Sequence, residues 1–505
     1  MFYLSLQNGS DIRGVALEGI AGQSVNLTET VCRNIASAFV CWLSEHCKKE
    51  PADLRIGIGR DSRLSGPSIV SWAADAMAKN GAHVFDCSMA STPAMFMSTV
   101  TPNFEFDGAI MVTASHLPFN RNGFKFFTRD GGLEKADVQR ILQIAESTRH
   151  EPEMNGSIES IDFISVYAAQ LVALIRKEVQ ASQYEKPLAG FHIVVDAGNG
   201  AGGFFVENVL QPLGANTEGS QFLDPDGRFP NHIPNPEDKE AMAAISSAVL
   251  AQHADLGIIF DTDVDRAGAV DENGRAINRN RLIAMISAIL LEEFPGTTIV
   301  TDSITSSGLG AFIASLGGVH HRFKRGYKNV INEAIRLNAN GQDAQLAIET
   351  SGHGALKENY FLDDGAYLIT KLLIKMARMR EENKKLSSLI DALEEPAESV
   401  EFRMNITEHE FAKAGERIIS ELEHHAQKQK WQLATDNHEG IRVRFGPENG
   451  NGWFLLRLSL HDPLMPLNIE SDTVGGCKII AQALLPFLKQ YRALDVTPLA
   501  EFCES

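Results

Sequence analysis

No stretch of this 505-residue chain approaches the ~20 consecutive apolar residues that a membrane-spanning helix requires. The opening Met1-Phe2-Tyr3-Leu4-Ser5-Leu6-Gln7 lacks the basic leader and the longer apolar region of a secretory signal. Cysteine is scarce: Cys32, Cys41, Cys47, Cys87, Cys477 and Cys503 are scattered without a CxxC pair. Neither a disulfide framework nor a zinc site is expected, and a reducing compartment is the default. The expected address is cytoplasmic, or a plastid where a transit segment has been removed. A basic stripe is also missing, and the net charge of −19 speaks against a nucleic-acid partner. An anionic small substrate stays admissible, because charges act over only about 8 Å at cellular ionic strength and local cations decide. No low-complexity segment is present.

What is there is a long chain of ordinary globular composition, 44% hydrophobic. Its length suggests three or four domains rather than one core. Strands rich in Val and Ile alternate with helical stretches. Strand 54–59 precedes helix 67–80 and strand 82–86. Helix 163–178 precedes strand 191–195, strand 297–301 precedes helix 306–316, and a long helix from 366 closes over the charged stretch 378–385. Beyond Glu394-Glu395-Pro396 the pattern changes. Segments 400–406, 440–445 and 452–460 alternate like antiparallel strands, with helices at 408–427 and 472–490. The expected fold is α/β: three doubly wound α/β domains of similar topology, at 1–157, 158–277 and 278–396, plus a smaller C-terminal α+β domain at 397–505. The glycine turn 198–203 reads either as a phosphate cradle at a helix N-terminus or as tight strand-to-helix packing. Lys48-Lys49 and Lys384-Lys385 read as solvated surface.

Three short motifs carry the chemistry. Thr113-Ala114-Ser115-His116-Leu117-Pro118 follows the apolar run Gly108 to Val112, with Lys125 ten residues after the serine. A hydroxyl at the end of a buried strand is held rigidly and can carry a transferable group. Asp261-Thr262-Asp263-Val264-Asp265-Arg266 follows the apolar run Leu256 to Phe260. Three alternate carboxylates can converge on one hard cation, Mg²⁺ or Ca²⁺. An EF-hand is excluded, since Arg266 stands where its sharp turn needs glycine and a strand replaces its first helix. Glu349-Thr350-Ser351-Gly352-His353 follows Leu346-Ala347-Ile348 and offers acceptors and a donor suited to sugar hydroxyls. A phosphorylatable serine with a metal loop ending in arginine suggests phosphoryl transfer.

In this order and at these separations, the three motifs resemble the α-D-phosphohexomutase superfamily, which includes the phosphoglucomutase/phosphomannomutase enzymes. Asp11-Ile12-Arg13-Gly14, Gly59-Arg60-Asp61-Ser62-Arg63 and Val195-Asp196-Ala197-Gly198-Asn199-Gly200 agree. The resemblance spans nearly the whole chain and implies four domains around a central cleft. Ser115 would cycle between hydroxyl and phosphoserine. Asp261, Asp263 and Asp265 would hold Mg²⁺ together with an oxygen on Ser115. His116, Lys125 and His353 would be the acid/base candidates, with Arg266 beside the transferred group. Arg13, Glu349, Ser351, Arg457, Ser459 and His461 would bind substrate. Arg60 and Lys328 also lie in or beside motif loops. Hexose 1,6-bisphosphate would be the intermediate or activator. Phosphosugars would be the partners, without nucleic acid or membrane, on a monomer or homodimer.

The fourth loop departs from the pattern Arg-x-Ser-x-Thr-Glu-Pro followed by a further arginine. Here Arg457, Ser459 and Pro463 stand in place, His461 replaces threonine, Asp462 replaces glutamate, and Pro466 takes the last arginine's position. Where some members carry Gly-His before the sugar loop, this chain has Gly326-Tyr327. Losing one charged hydrogen bond to phosphate would cost about 1.5–3 kcal/mol. Three readings follow: a mutase on glucose or mannose phosphates, a hexose 1,6-bisphosphate synthase drawing on a donor such as fructose 1,6-bisphosphate, and a non-catalytic sugar-phosphate sensor.

Overall fold

The computed structural model describes residues 2–147, 154–459 and 462–504. The chain divides into two units, Met1–Leu282 with Ser351–Leu389, and Ile283–Thr350 with Ile390–Ser505. Among the described residues no helix is long and apolar enough to cross a membrane.

The first unit is built on two sheets. In the larger, Arg55–Arg60 runs parallel to both Gly108–Val112 and His83–Met89. Helices Glu29–Cys47, Gly66–Lys79 and Lys135–Ser147 cover it, and Ile35, Phe39, Ile69, Met77, Ile141 and Leu142 enter its core. Gly108–Val112 is buried at every position, as a strand covered on both faces must be. Its continuation into Thr113 therefore starts from a rigid base. The strand expected from the sequence at 54–59 and the helix expected at 67–80 are present within a residue. The sheet is mixed rather than purely parallel: Arg121–Thr128 returns antiparallel and sets Lys125 opposite Met111. In the second sheet Ile193–Asp196 and Leu256–Phe260 are parallel, and Ala267–Asp271 folds back antiparallel, pairing Ala267 with Phe260. Asp261 to Arg266 is thus the loop of a hairpin whose stem is buried.

The glycine turn serves packing. A Cβ on Gly200 would lie 2.7 Å from the Thr262 carbonyl oxygen. The segment that follows is a short π-helical turn, Phe205–Leu210, rather than a regular helix.

In the second unit, parallel strands lie in the order Val319–Arg322, Thr298–Thr301, Ala344–Ile348. The C-terminal segment forms an antiparallel sheet in which Leu464–Ser471 lies between Glu398–Asn405 and Gly452–Leu456. That strand is absent from the sequence-based expectation, and it contains Pro466. The segment expected as strand 452–460 stops at Leu456. Arg442 ties the two parts of this unit together. Its guanidinium lies 3.5 Å from the Trp453 ring centroid and donates to Ser303 O at 2.7 Å and Thr305 O at 3.0 Å.

His232 in the first unit supplies a pH-linked contact. Its Nε2 reaches both Asp196 oxygens, at 3.1 and 3.0 Å, and Nδ1 meets Ile233 O at 2.9 Å. Burial opposes the charged ring, but the Asp196 carboxylate and the Ile233 carbonyl outweigh it and raise the imidazole pKa. The folded value lies above the unfolded value of about 6.5, so this stabilisation is complete below that pH and fades as pH rises through the folded value. His232→Gln should therefore lower Tm below pH 6.5, roughly the unfolded pKa, and the gap to wild type should narrow in alkaline buffer. Scanning calorimetry of both proteins across pH checks it.

Candidate functional site

Ser115 stands three residues beyond strand Gly108–Val112 and adopts φ +50°, a left-handed conformation uncommon outside glycine. Its hydroxyl donates to Asp261 Oδ2 at 3.0 Å and accepts from Arg266 Nη2 at 3.0 Å. His116 Nδ1 lies 3.3 Å from the same oxygen and 2.7 Å from Arg266 Nη2. A guanidinium is a donor only, so Nδ1 of His116 is an acceptor and carries no proton there. Protein crowded around the ring, then Arg266 and Arg13, pulls this imidazole well below its ordinary pKa, although the residue keeps an exposed edge.

The hairpin loop brings the three carboxylates together: Asp261, Asp263 and Asp265 present oxygens within 4.8 Å of one another, all buried. The curl depends on Val264, a β-branched residue at φ +66°, where strain of about 1–3 kcal/mol is expected. Lys125 donates to Asp263 Oδ2 at 3.0 Å and to Asp265 Oδ2. Arg266 closes the other side through Asp261 Oδ2 and Asn235 Oδ1 at 3.2 Å. Burial would strip the Lys125 proton, but Asp263 and Asp265 hold the ammonium firmly charged. Burial, then Asp265 and Asp263, drives the Asp261 carboxyl well above the usual range. Asp263 Oδ1 and Asp265 Oδ1 are buried without a hydrogen-bond partner. Buried carboxyl oxygens without a hydrogen-bond partner, on three converging aspartates, fit a hard divalent cation.

The sugar-motif residues fall in both units. In the first, Ser351 is a buried turn residue, and His353 forms a bridge with Arg266. His353 Nδ1 bonds Asp363 Oδ2. Burial works against the imidazolium, yet Asp363 and Asp265 raise its pKa to about 9. Arg13 donates to Thr113 O at 2.7 Å and pairs with Asp11 at 2.8 Å, beside the serine loop. The first unit thus gathers Ser115, His116, Lys125, the three aspartates and Arg266 through direct hydrogen bonds, with Arg13 joined through Thr113 and His353 bridged to Arg266.

In the second unit, Glu349 directly follows strand Ala344–Ile348 and accepts the Gly326 N–H at 2.6 Å. Gly326 holds φ +117° at the cap of helix Tyr327–Ala339, a conformation open to glycine. Thr350 Oγ1 donates to Asp302 at 2.7 Å. Arg457 is buried just past strand Gly452–Leu456, with its Nε unpartnered. Burial and then the Arg325 guanidinium lower its pKa. Ser459 Oγ accepts the Asp462 N–H at 3.3 Å. His461 lies outside the described residues. Pro466 is buried in strand Leu464–Ser471 opposite Arg403, and its carbonyl accepts the Arg457 N–H at 3.1 Å.

Sequence reasoning missed several partners. Thr92 donates its N–H to Asp263 O at 2.8 Å and its hydroxyl to Asp263 Oδ2. Asp363 orients His353, and Asn235 supports Arg266. Arg63 is fully buried, with its guanidinium under the serine loop. The Gly59 to Arg63 fragment pointed to this place but assigned no role to it. Arg60 instead donates to Asp61 O at 3.1 Å and lines a separate cavity with Arg33, Asp75 and Asp86.

Comparison with known proteins gives one consistent result. Residues 5–152, 166–274 and 278–396 match the family models for phosphoglucomutase/phosphomannomutase alpha/beta/alpha domains I, II and III. A phosphomannomutase/phosphoglucomutase of Pseudomonas aeruginosa is 30% identical over 87% of this chain and 88% of its own. A phosphoglucomutase of Neisseria gonorrhoeae is 30% identical over 92% of this chain and 93% of its own. A crystal structure of a phosphoglucomutase/phosphomannomutase family protein from Burkholderia thailandensis superposes with a TM-score of 0.78 at 27% identity, covering 96% of this chain and 97% of that one.

Proposed function

The chain belongs to the phosphoglucomutase/phosphomannomutase family within the α-D-phosphohexomutase superfamily, and from that premise we propose that it interconverts hexose 1-phosphate and hexose 6-phosphate, of glucose, mannose or both, through a phosphoserine at Ser115. The observation that carries this reading is the Ser115 hydroxyl itself, held between the Asp261 carboxylate and the Arg266 guanidinium at 3.0 Å each.

The phosphoserine Oγ–P bond breaks as an O–P bond forms to the free hydroxyl of a bound hexose monophosphate. The hydroxyl proton passes to a base, and the departing Ser115 Oγ takes up a proton. In the second half the Ser115 hydroxyl gives its proton to a base as the other phosphoryl of the hexose 1,6-bisphosphate returns to Oγ, and the departing sugar oxygen takes a proton. His116, Lys125 and His353 are the acid/base set. Asp363 engages Nδ1 of His353, which supports Nε2 as the nitrogen that would exchange a proton with substrate. Arg266 donates toward the Ser115 oxygen and steadies charge on the group in transit. Asp261, Asp263 and Asp265, with an oxygen on Ser115, would hold Mg²⁺, which supplies neutralisation of phosphoryl charge when bound. Lys125 keeps two of those carboxylates in place. Glu349 and Ser351 would meet sugar hydroxyls, and Arg13, Arg457 and Ser459, with His461, would hold the substrate's phosphate.

Pro466 favours one alternative. Buried in a strand and lacking both charge and N–H, it cannot grip phosphate. A weaker hold on the intermediate suits bisphosphate release, the synthase reading. Product-resolved ³¹P NMR separates the readings, with glucose 1-phosphate or mannose 1-phosphate as substrate. A trace of glucose 1,6-bisphosphate should give 6-phosphate with little free bisphosphate. Bisphosphate accumulating from excess fructose 1,6-bisphosphate would replace the mutase reading with the synthase. Turnover in neither mixture would leave a sensor.

A further inference from the structure

We propose that Arg63, seated on Asp61, is the positioning residue that locks Ser115 in its left-handed, transfer-competent conformation, a role that rests on the phosphoserine reading above. Arg63 is completely buried, and a buried guanidinium is costly unless its donors are matched. Here four of the five donors are matched by backbone, and Nε alone makes no hydrogen bond. Nη2 donates to Ser115 O and to Leu117 O at 2.6 Å, and Nη1 donates to Pro118 O at 2.8 Å and Arg121 O at 2.9 Å. Nε faces Asp61 Oδ2 at 3.4 Å, and the Phe229 ring covers the guanidinium at 5.2 Å. One side chain thus pins the carbonyl of the reacting serine and those of the chain leading away from it.

Asp61 completes the grip from the other side. Its Oδ2 accepts the Thr113 hydroxyl at 2.7 Å, and Thr113 Oγ1 in turn accepts the Ser115 N–H at 2.9 Å. Asp61 is itself fixed, since it follows strand Arg55–Arg60 directly and donates its N–H to Val112 O at 3.2 Å. Both peptide groups flanking the Ser115 Cα are therefore tied to one ion pair at the end of a central strand. A left-handed serine relaxes readily once either tie is cut. A phosphoryl carrier must return its oxygen to the same place twice in each cycle, so this preorganisation bears on the rate of transfer rather than on substrate affinity.

Arg63→Lys keeps the charge and loses the four-carbonyl fork. Thr113→Val is close to isosteric and cuts the tie to the Ser115 N–H. Both variants and wild type would be mixed with saturating glucose 1,6-bisphosphate and quenched rapidly to time phosphorylation of Ser115. Substrate binding by calorimetry and folding by circular dichroism accompany them. Folded Thr113→Val, and Arg63→Lys if it folds, should phosphorylate Ser115 at least about 30-fold more slowly, with sugar-phosphate affinity within about threefold of wild type. A folded variant that phosphorylates at the wild-type rate, or one whose loss equals its unfolded fraction, would overturn the brace. If Arg63→Lys is unfolded, Thr113→Val decides by the same criterion. Wild type that never takes a phosphoryl on Ser115 would instead overturn the phosphoserine reading, and the brace with it.

Discussion

Ser115→Ala should abolish hexose phosphate interconversion, lowering kcat on the order of 10⁴-fold or more, about 5.5 kcal/mol in barrier height. The alanine removes the oxygen that bonds both Asp261 and Arg266 and lies 3.3 Å from His116 Nδ1. It leaves the Ser115 N–H bond to Thr113 and the bond from Arg63 to the carbonyl intact. The loop should keep its shape, and affinity for glucose 1-phosphate should stay within about threefold. Covalent catalysis differs here from general electrostatic help, since without the hydroxyl no phosphoryl can be stored between half-reactions. Steady-state kinetics and isothermal titration calorimetry on one preparation check both parts. A variant retaining a tenth of wild-type kcat, roughly 1.4 kcal/mol, would show that phosphoryl moves by another route.

Asp263→Asn should cost a further large factor, about 10²–10³ in kcat/KM, the range seen when one preorganised electrostatic group is lost. With all three ionised, the carboxylates exceed the two cations, Lys125 and Arg266, by one negative charge. A divalent cation turns that into one net positive charge, the sign a phosphoserine of about −1.5 to −2 requires. The asparagine brings the cluster to neutral before metal binds, weakening attraction for the cation. Its amide also sets a donor near Lys125 and Thr92, where the carboxylate accepted. Thermal unfolding gives a readout independent of turnover. Mg²⁺ at a hundredfold its Kd should stabilise wild type by about 2.7 kcal/mol and shift the variant far less. Chelation should erase the Mg²⁺-induced shift in Tm in both proteins. Equal Mg²⁺-induced shifts in both would remove Asp263 from the metal set.

The three motif loops were legible because each follows a short run buried on both faces, Gly108–Val112, Leu256–Phe260 and Ala344–Ile348. Such runs stand out as apolar segments, broken in the third only by Gln345, and a polar cluster directly after one marks the end of a strand. What holds the loops was not legible. Arg63 acts on backbone carbonyls more than fifty residues away, and carbonyls leave no trace in side-chain spacing. Thr92 and Asp363 read as ordinary polar residues until the fold sets them beside Asp263 and His353. Val264 gave no hint of its left-handed backbone, since that conformation normally announces itself as glycine or asparagine. Strand Leu464–Ser471 was hidden by its own proline. Proline argues against an interior strand, yet Pro466 offers its carbonyl to Arg457 and needs no N–H there. The glycines at 198–203 kept two explanations open, and contact of Gly200 with Thr262 favours packing.

In the proposed mechanism Ser115 carries the phosphoryl group. The most direct measurement exposes wild-type protein to glucose 1,6-bisphosphate in the presence of Mg²⁺, removes the sugar, and maps phosphorylation by peptide mass spectrometry. The expected result is one phosphoryl group on the peptide containing Ser115, discharged when hexose 6-phosphate is added back, and none in Ser115→Ala. A phosphoryl group on another residue, or fully active protein that never carries one on Ser115, would contradict it.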